Sequence, residues 1–359
     1  MNAAGNLFAQ QEANRKASRR LVAGFILFLA WLGFGGDLIL YLATRNHVDT
    51  GGSGVNLFPG PHVFPGIGIF LFTFAAITAW AGYKFGATML VKATGAREII
   101  TPQTDEEQRL VNVVEEMAIA AGTRKPHVWL VPEDAPNAFA TGIRPEDAHL
   151  AVTEGLLDTV NREELQAVVA HEMGHIVNYD VRLMTLLTTL VGMVAMIHNA
   201  TFRVMRFGGS GGGRSRSRSS SKDSGGAGIL VIVLLVVWLI SWAIAPLVTR
   251  YMAMKVGRSR EFLADAMSAQ FTRNPGALAQ ALEKIGASNI RPTAIPRSSA
   301  QLCIADPFHS QWDEREGKVA DLMATHPPLR ERVRRLREMA YQNTGTVESL
   351  HSPLSMSEA

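Results

Sequence analysis

The chain has 359 residues, 35 Lys and Arg against 32 Asp and Glu for a net charge of +3, and 47% hydrophobic residues. That charge is too small to mark a nucleic-acid binder, and one cysteine, Cys303, permits neither an intramolecular disulfide nor a cysteine-built zinc module. A disordered or collagen-like chain is excluded, and with only 19% charged residues the sequence is read first for membrane spans.

Residues 1–20 form an N-terminal segment, basic at Arg15, Lys16, Arg19 and Arg20, and the run 21–44 then carries one charge, Asp37. About 20 apolar residues cross the hydrocarbon core, so 21–44 is expected to be a transmembrane helix. Without a short apolar region and a small-residue cleavage site before it, it reads as an uncleaved anchor. An external loop is expected over 45–65 and a second transmembrane helix over 66–83, with Lys84, Lys92 and Arg97 beyond. Basic flanks put both outer ends in the cytoplasm and make the two spans a hairpin. Two more hydrophobic segments, 183–202 and 229–248, are either transmembrane or re-entrant. Simple alternation would place the loop between them, 203–228, outside, against its positive charge. This loop is rich in Gly, Ser and Arg, and its RSRSRSSSK stretch at 214–222 reads as a solvated linker. An RNA-binding or lipid-headgroup patch is the alternative, but no aromatic residues interleave as stacking platforms.

Residues 84–182 and 249–340 are expected to be two parts of one domain outside the membrane, followed by a mobile tail over 341–359. Thr104 with Glu107 is a capping box, and Leu110, Val113, Val114, Met117 and Ala121 keep helical spacing to Gly122. HVWLV (127–131) and HLAVT (149–153) are strand-like, separated by a loop holding Pro132, Pro136, Gly142 and Pro145. A second capping box, Asn161 with Glu164, opens a helix that carries HEMGH.

On that helix His171 and His175 stand four residues apart, so both imidazoles project from one face and can meet a single zinc ion. Glu172 lies beside the first of them, where it can take a proton from water. This is the HExxH pattern of zinc peptidases. Two histidines satisfied by backbone or carboxylate partners would give the same spacing. A third protein ligand is needed, with the fourth position left for water. SREFLADAMSAQF offers Glu261 and Asp265 on one helix face, although carboxylates four apart also mark a solvated face.

The chain resembles the M48 integral-membrane metallopeptidases, nearer the HtpX-like members than the Ste24-like CAAX proteases. PNAFATG (136–142), VTEGLL (152–157), HEMGH, SREFLADAMSA and THPPLRERVRRL, in this order and among paired hydrophobic segments, carry the likeness. It implies a mainly α membrane protein: transmembrane helices plus an α+β zincin-like catalytic domain with a small sheet. It also implies a gluzincin-type endopeptidase with one Zn2+ per chain, held by His171, His175 and Glu261. Glu172 would be the catalytic base, and Asp265 would orient a ligand imidazole. By the same likeness Asn137 and Ala138 bind substrate through strand addition, while His326 and Arg332 lie near the reaction centre as possible oxyanion donors, Arg332 on the substrate side. Read locally, Asn137 makes a turn after Pro136, His326 enters a helix and Arg332 is an exposed arginine of a basic helix.

Protein or peptide substrates, chiefly damaged membrane proteins, and the lipid bilayer are the expected partners, without nucleic acid. The expected location is the inner or plasma membrane, multi-pass, with the site facing the cytoplasm. A non-catalytic scaffold retaining structural zinc, and a CAAX-type processing peptidase, are the alternatives. The 214–222 loop is longer and more basic than compact members of the family would have, which bears on the topology of the second hydrophobic pair and not on the metal ligands.

Overall fold

The computed structural model describes residues 3–48, 63–190, 192, 227–288, 290–296, 302–305 and 327–350. Helix α1, Ala3–Val48, starts well before the expected span, since no proline interrupts the basic N-terminal segment, and helix α2 runs Gly66–Lys92. Within them Glu12–Leu42 and Gly66–Lys92 are long and apolar enough to cross a membrane, and only 28% of the apolar stretch of each is covered by protein. The core helix of a soluble protein would be mostly covered. Leu27, Phe70, Ile77 and Trp80 are instead exposed, a surface that requires a non-aqueous neighbour.

The lone charge of the first span has a local role. The Asp37 carboxylate accepts from the Ile67 and Gly68 amides at 3.3 and 2.6 Å, satisfying two donors that the first turn of α2 would otherwise leave unpaired. Glycines let the two helices meet closely: a Cβ on Gly33 would lie 2.7 Å from the Gly68 Cα, and one on Gly68 would lie 2.2 Å from the Phe34 ring.

The chain divides into two compact units, Arg19–Lys84 with Thr189–Arg250, and Met1–Ser18 with Phe85–Thr188 and Tyr251–Ala359. The second of these contains strand β1 (Arg97–Glu98), helix α3 (Asp105–Ala120), strands β2 (His127–Val131), β3 (Ala138–Thr141) and β4 (His149–Thr153), and helices α4 (Glu154–Thr159) and α5 (Arg162–Val177). Helix α6 is described over 180–190, followed by α7 (Ala227–Thr272), α8 (Pro275–Ala287) and α9 (Leu329–Leu350). Of the expected segment 183–202, residue 191 and residues 193–202 lie outside the described residues, as does the loop up to residue 226.

The sheet order is β1-β2-β4-β3, with β2 and β4 parallel and β3 antiparallel to β4, Ala138 opposite Val152. All four residues of β3 are buried, so the strand reads in sequence as a short apolar run between Pro136 and Gly142 rather than as an alternating pattern. The main core joins Leu110 and Val114 of α3, Leu150 of β4, Val168 and Met173 of α5 and Leu282 of α8. At Asn161 the capping box is complete. At Thr104 it is half made: the hydroxyl accepts from Glu107 N, but the Glu107 carboxylate takes the Gln103 amide and pairs with Arg97. Helix α9 runs on through Tyr341 to Leu350, ten residues into the stretch expected as a tail.

Gly155, in the first turn of α4, donates its amide to the Glu133 carbonyl at 3.0 Å, and a Cβ there would lie 1.9 Å from the Asp134 carbonyl oxygen. Backbone cannot yield as a side chain can, so Gly155→Ala is expected to cost about 2–3 kcal/mol. Thermal unfolding of the purified full chain in detergent tests this, an unchanged midpoint being the contrary result.

Candidate metal centre

Helix α5 is fixed at its start by the Asn161–Glu164 box and carries HEMGH in its last two turns. Gly174 inside this motif has a packing role: its missing Cβ would lie 3.3 Å from the Ala264 Cα and from the Met267 Cβ, so α7 comes directly against α5. The contact is pinned by Ser268 Oγ donating to the Ala167 carbonyl at 2.7 Å. Glu261 is thereby brought to the histidine pair, on a helix that continues from the apolar segment at 229–248 without a break at Pro246 or Gly257.

His171 Nε2 and His175 Nε2 are 3.2 Å apart. Glu261 Oε2 lies 3.6 Å from the first and Oε1 3.5 Å from the second. Ligand atoms about 2.1 Å from a tetrahedral cation stand about 3.4 Å from one another, so two nitrogens and a carboxylate at these spacings fit one zinc-sized ion with a position left open. Among the described residues this is the group of His, Cys, Asp and Glu side chains that could hold a metal.

The Nδ1 atoms face carboxylates. His171 Nδ1 is 3.0 Å from Asp265 Oδ1, close but without hydrogen-bond alignment, and His175 Nδ1 is 3.2 Å from Asp180 Oδ2. Burial opposes protonation of both rings. Asp265 and Glu261 nevertheless hold His171 above the ordinary histidine range, and Asp180 and Glu261 hold His175 well above it. Glu172 is 1% exposed, and among the described residues its Oε1 has no hydrogen-bond partner. Burial pushes its carboxyl up.

Arg332 lies beside the cluster, where the family likeness put it, and differs from its local reading as an exposed arginine. It is 1% exposed, and its Nε and Nη2 donate to the two oxygens of Asp265 at 2.9 and 2.7 Å. Nη1 donates to the Ile304 carbonyl at 2.7 Å and lies 3.2 Å from Glu261 Oε2. Burial works against the Asp265 carboxylate, yet this guanidinium holds its pKa below the ordinary range. The signal was in the helical phase: Leu329, Val333 and Leu336 form the buried stripe of α9, and position 332 falls within it, whereas Arg330 and Arg334 point out.

Asn137 and Ala138 make hydrogen bonds within the chain. The Asn137 amide donates to the Ala305 carbonyl at 3.1 Å and its oxygen accepts from Ala138 N at 3.0 Å, while the Ala138 carbonyl accepts from Ile304 N at 2.9 Å. Phe139 and Cys303 make an antiparallel bridge, so residues 302–305 lie along the β3 edge where strand addition was expected. The Asn137 side chain thus ties the start of β3 to residue 305. Cys303 is buried among apolar side chains. His326 lies outside the described residues. Asp180, absent from the sequence reading, is the added member of the cluster.

A model of peptidase family M48 matches residues 104–340. A protease HtpX homolog of Streptococcus pneumoniae is 38% identical over 334 residues, spanning 93% of this chain and 100% of that protein. Another, of Thermoanaerobacter pseudethanolicus, is 39% identical over 272 residues, 76% of this chain and 84% of that one. Among solved structures, the Ste24p of S. mikatae aligns with a TM-score of 0.41 at 19% identity, covering 86% of this chain and 64% of that one. Two membrane-length helices, a cluster fit to hold a metal and the family match define the class, a membrane metalloprotease. The chain belongs to peptidase family M48 and is similar to the HtpX proteins over most of its length.

Proposed function

We propose that the protein is a zinc endopeptidase of the cytoplasmic membrane, with His171, His175 and Glu261 as metal ligands and Glu172 as general base, acting on damaged or unassembled membrane proteins. One observation carries the reading: two imidazole Nε2 atoms and a carboxylate converge at tetrahedral spacing beside a buried Glu172 oxygen that has no partner among the described residues. Zinc, when bound there, supplies Lewis acidity toward water and the scissile carbonyl. Glu172 accepts the proton of the attacking water and returns it to the leaving amine. Asp265 faces Nδ1 of His171 at 3.0 Å, leaving its Nε2 toward His175 and Glu261, and Arg332 holds Asp265. The basic residues at the ends of the two apolar helices away from the 45–65 loop, Arg15 to Arg20 and Lys84 to Arg97, favour a cytoplasmic site. A structural zinc would be closed by a fourth protein ligand, and among the described residues the cluster offers three.

Cleavage of a casein-type or model membrane substrate, with and without chelator, tests the activity; cleavage that survives complete zinc removal contradicts the reading. A pH dependence follows from the histidines. Both hold protons more tightly than free imidazole, so zinc must displace them, and apparent affinity rises with pH by about tenfold per unit for each proton released. Calorimetric titration in buffers of different ionisation enthalpy measures that release, and buffer-independent heats at pH 6 to 7 would contradict it.

A further inference from the structure

Helix α5 ends at Val177, and Tyr179 then adopts φ 59°, a left-handed conformation uncommon for a bulky side chain. This reversal returns the chain under the last turn of α5, so that Asp180, 1% exposed, sets Oδ2 3.2 Å from His175 Nδ1. The other oxygen of Asp180 is held from two further elements. Asn14 of α1 donates Nδ2 to Oδ1 at 2.7 Å, and Arg260 of α7 brings Nε to 3.4 Å. The same Asn14 amide donates to the Asn178 carbonyl at 2.9 Å, and the Arg15 guanidinium covers the Tyr179 ring at 4.2 Å. Asn14 is 2% exposed, and a buried amide in this place needs acceptors for both its protons, which Asp180 and Asn178 provide.

We propose that Asp180 is a positioning residue for His175 and that Asn14 holds Asp180 in place, making the N-terminal part of α1 a component of the metal centre. The inference rests on the reading of His175 as a ligand. A carboxylate on Nδ1 fixes the proton there and turns the Nε2 lone pair to the metal. That carboxylate has its own rotamers, and an amide is suited to pin it because it donates without adding a charge. Asn14 Nδ2 and His175 Nδ1 approach different oxygens of Asp180, and an asparagine at 180 keeps only one of those two oxygens. It would present an amide group to one of those donors.

Zinc affinity of the full chain in detergent, by chelator competition, is the test, read beside the unfolding midpoint of the metal-free form. Asp180→Asn is expected to weaken zinc by about 10- to 100-fold, and Asn14→Ala by up to about tenfold. The double variant should bind no more weakly than Asp180→Asn alone, because Asn14 acts through Asp180. Binding by Asp180→Asn within twofold of the parent, while His175→Ala loses zinc, overturns the inference and leaves the ligand set standing. Retention of zinc by His175→Ala overturns both. Strictly additive losses remove Asn14 from the scheme. A lowered metal-free midpoint with unchanged zinc affinity makes the clamp a fold element only and overturns the proposal. If Asp180→Asn does not fold, Asn14→Ala alone decides, unchanged affinity being the contrary result.

Discussion

Glu172→Gln is expected to keep zinc at full occupancy while turnover falls by about 10²- to 10⁴-fold, the range for loss of a positioned general base. Glutamine fills the same space and preserves a carbonyl acceptor, but it cannot take a proton from water. The metal ligands are untouched, so zinc content by elemental analysis should equal the parent's. Stability should not fall either: Glu172 is 1% exposed, its Oε1 has no partner among the described residues, and burial raises its pKa, so a neutral amide relieves a desolvated charge. An equal or higher melting midpoint with lost cleavage is thus the expected pair of results. Cleavage at the parent's rate would remove Glu172 from the chemistry.

The local elements were legible where a period of 3.6 or a cap announced them. Helices α3 and α5 follow their capping residues Thr104 and Asn161, and strands β2 and β4 coincide with their two β-rich runs. Strand β3 was hidden because its four residues are all buried and supply no alternation. Helix α7 was seen as two pieces, since the sequence changes from apolar to charged near Lys255 while the backbone continues from Ala227 to Thr272. In the site, the spacing of HEMGH located two histidines and the base, and the family likeness supplied Glu261 and Asp265, which the structure brings to the same cluster. Asp180 could not be read from spacing. Its approach to His175 depends on the left-handed turn at Tyr179, and its partner Asn14 is 166 residues away in sequence. Charge composition also misleads at Arg332: the segment holds five arginines between 330 and 337, and only the phase of Leu329, Val333 and Leu336 singles out the buried one.

Arg332→Met is expected to destabilise the metal-free protein by about 3–5 kcal/mol, the cost of breaking a buried ion pair from one side. The substitution keeps most of the volume but leaves Asp265 without its two guanidinium donors and removes the cation 3.2 Å from Glu261. It also takes the donor from the Ile304 carbonyl, which loosens the segment lying on the β3 edge. Zinc should return part of the loss, because a cation among His171, His175 and Glu261 compensates the Glu261 charge and binds only the folded state. It cannot repair the Asp265 pair. Adding Asp265→Leu to Arg332→Met removes the second buried charge with the first, so the double variant should be less destabilised than the single one, a non-additivity measurable by denaturant titration in detergent. Loss of less than about 1 kcal/mol for Arg332→Met, with no dependence on zinc, would mean that water reaches the Asp265 carboxylate and that the guanidinium does not hold the His171 side of the centre.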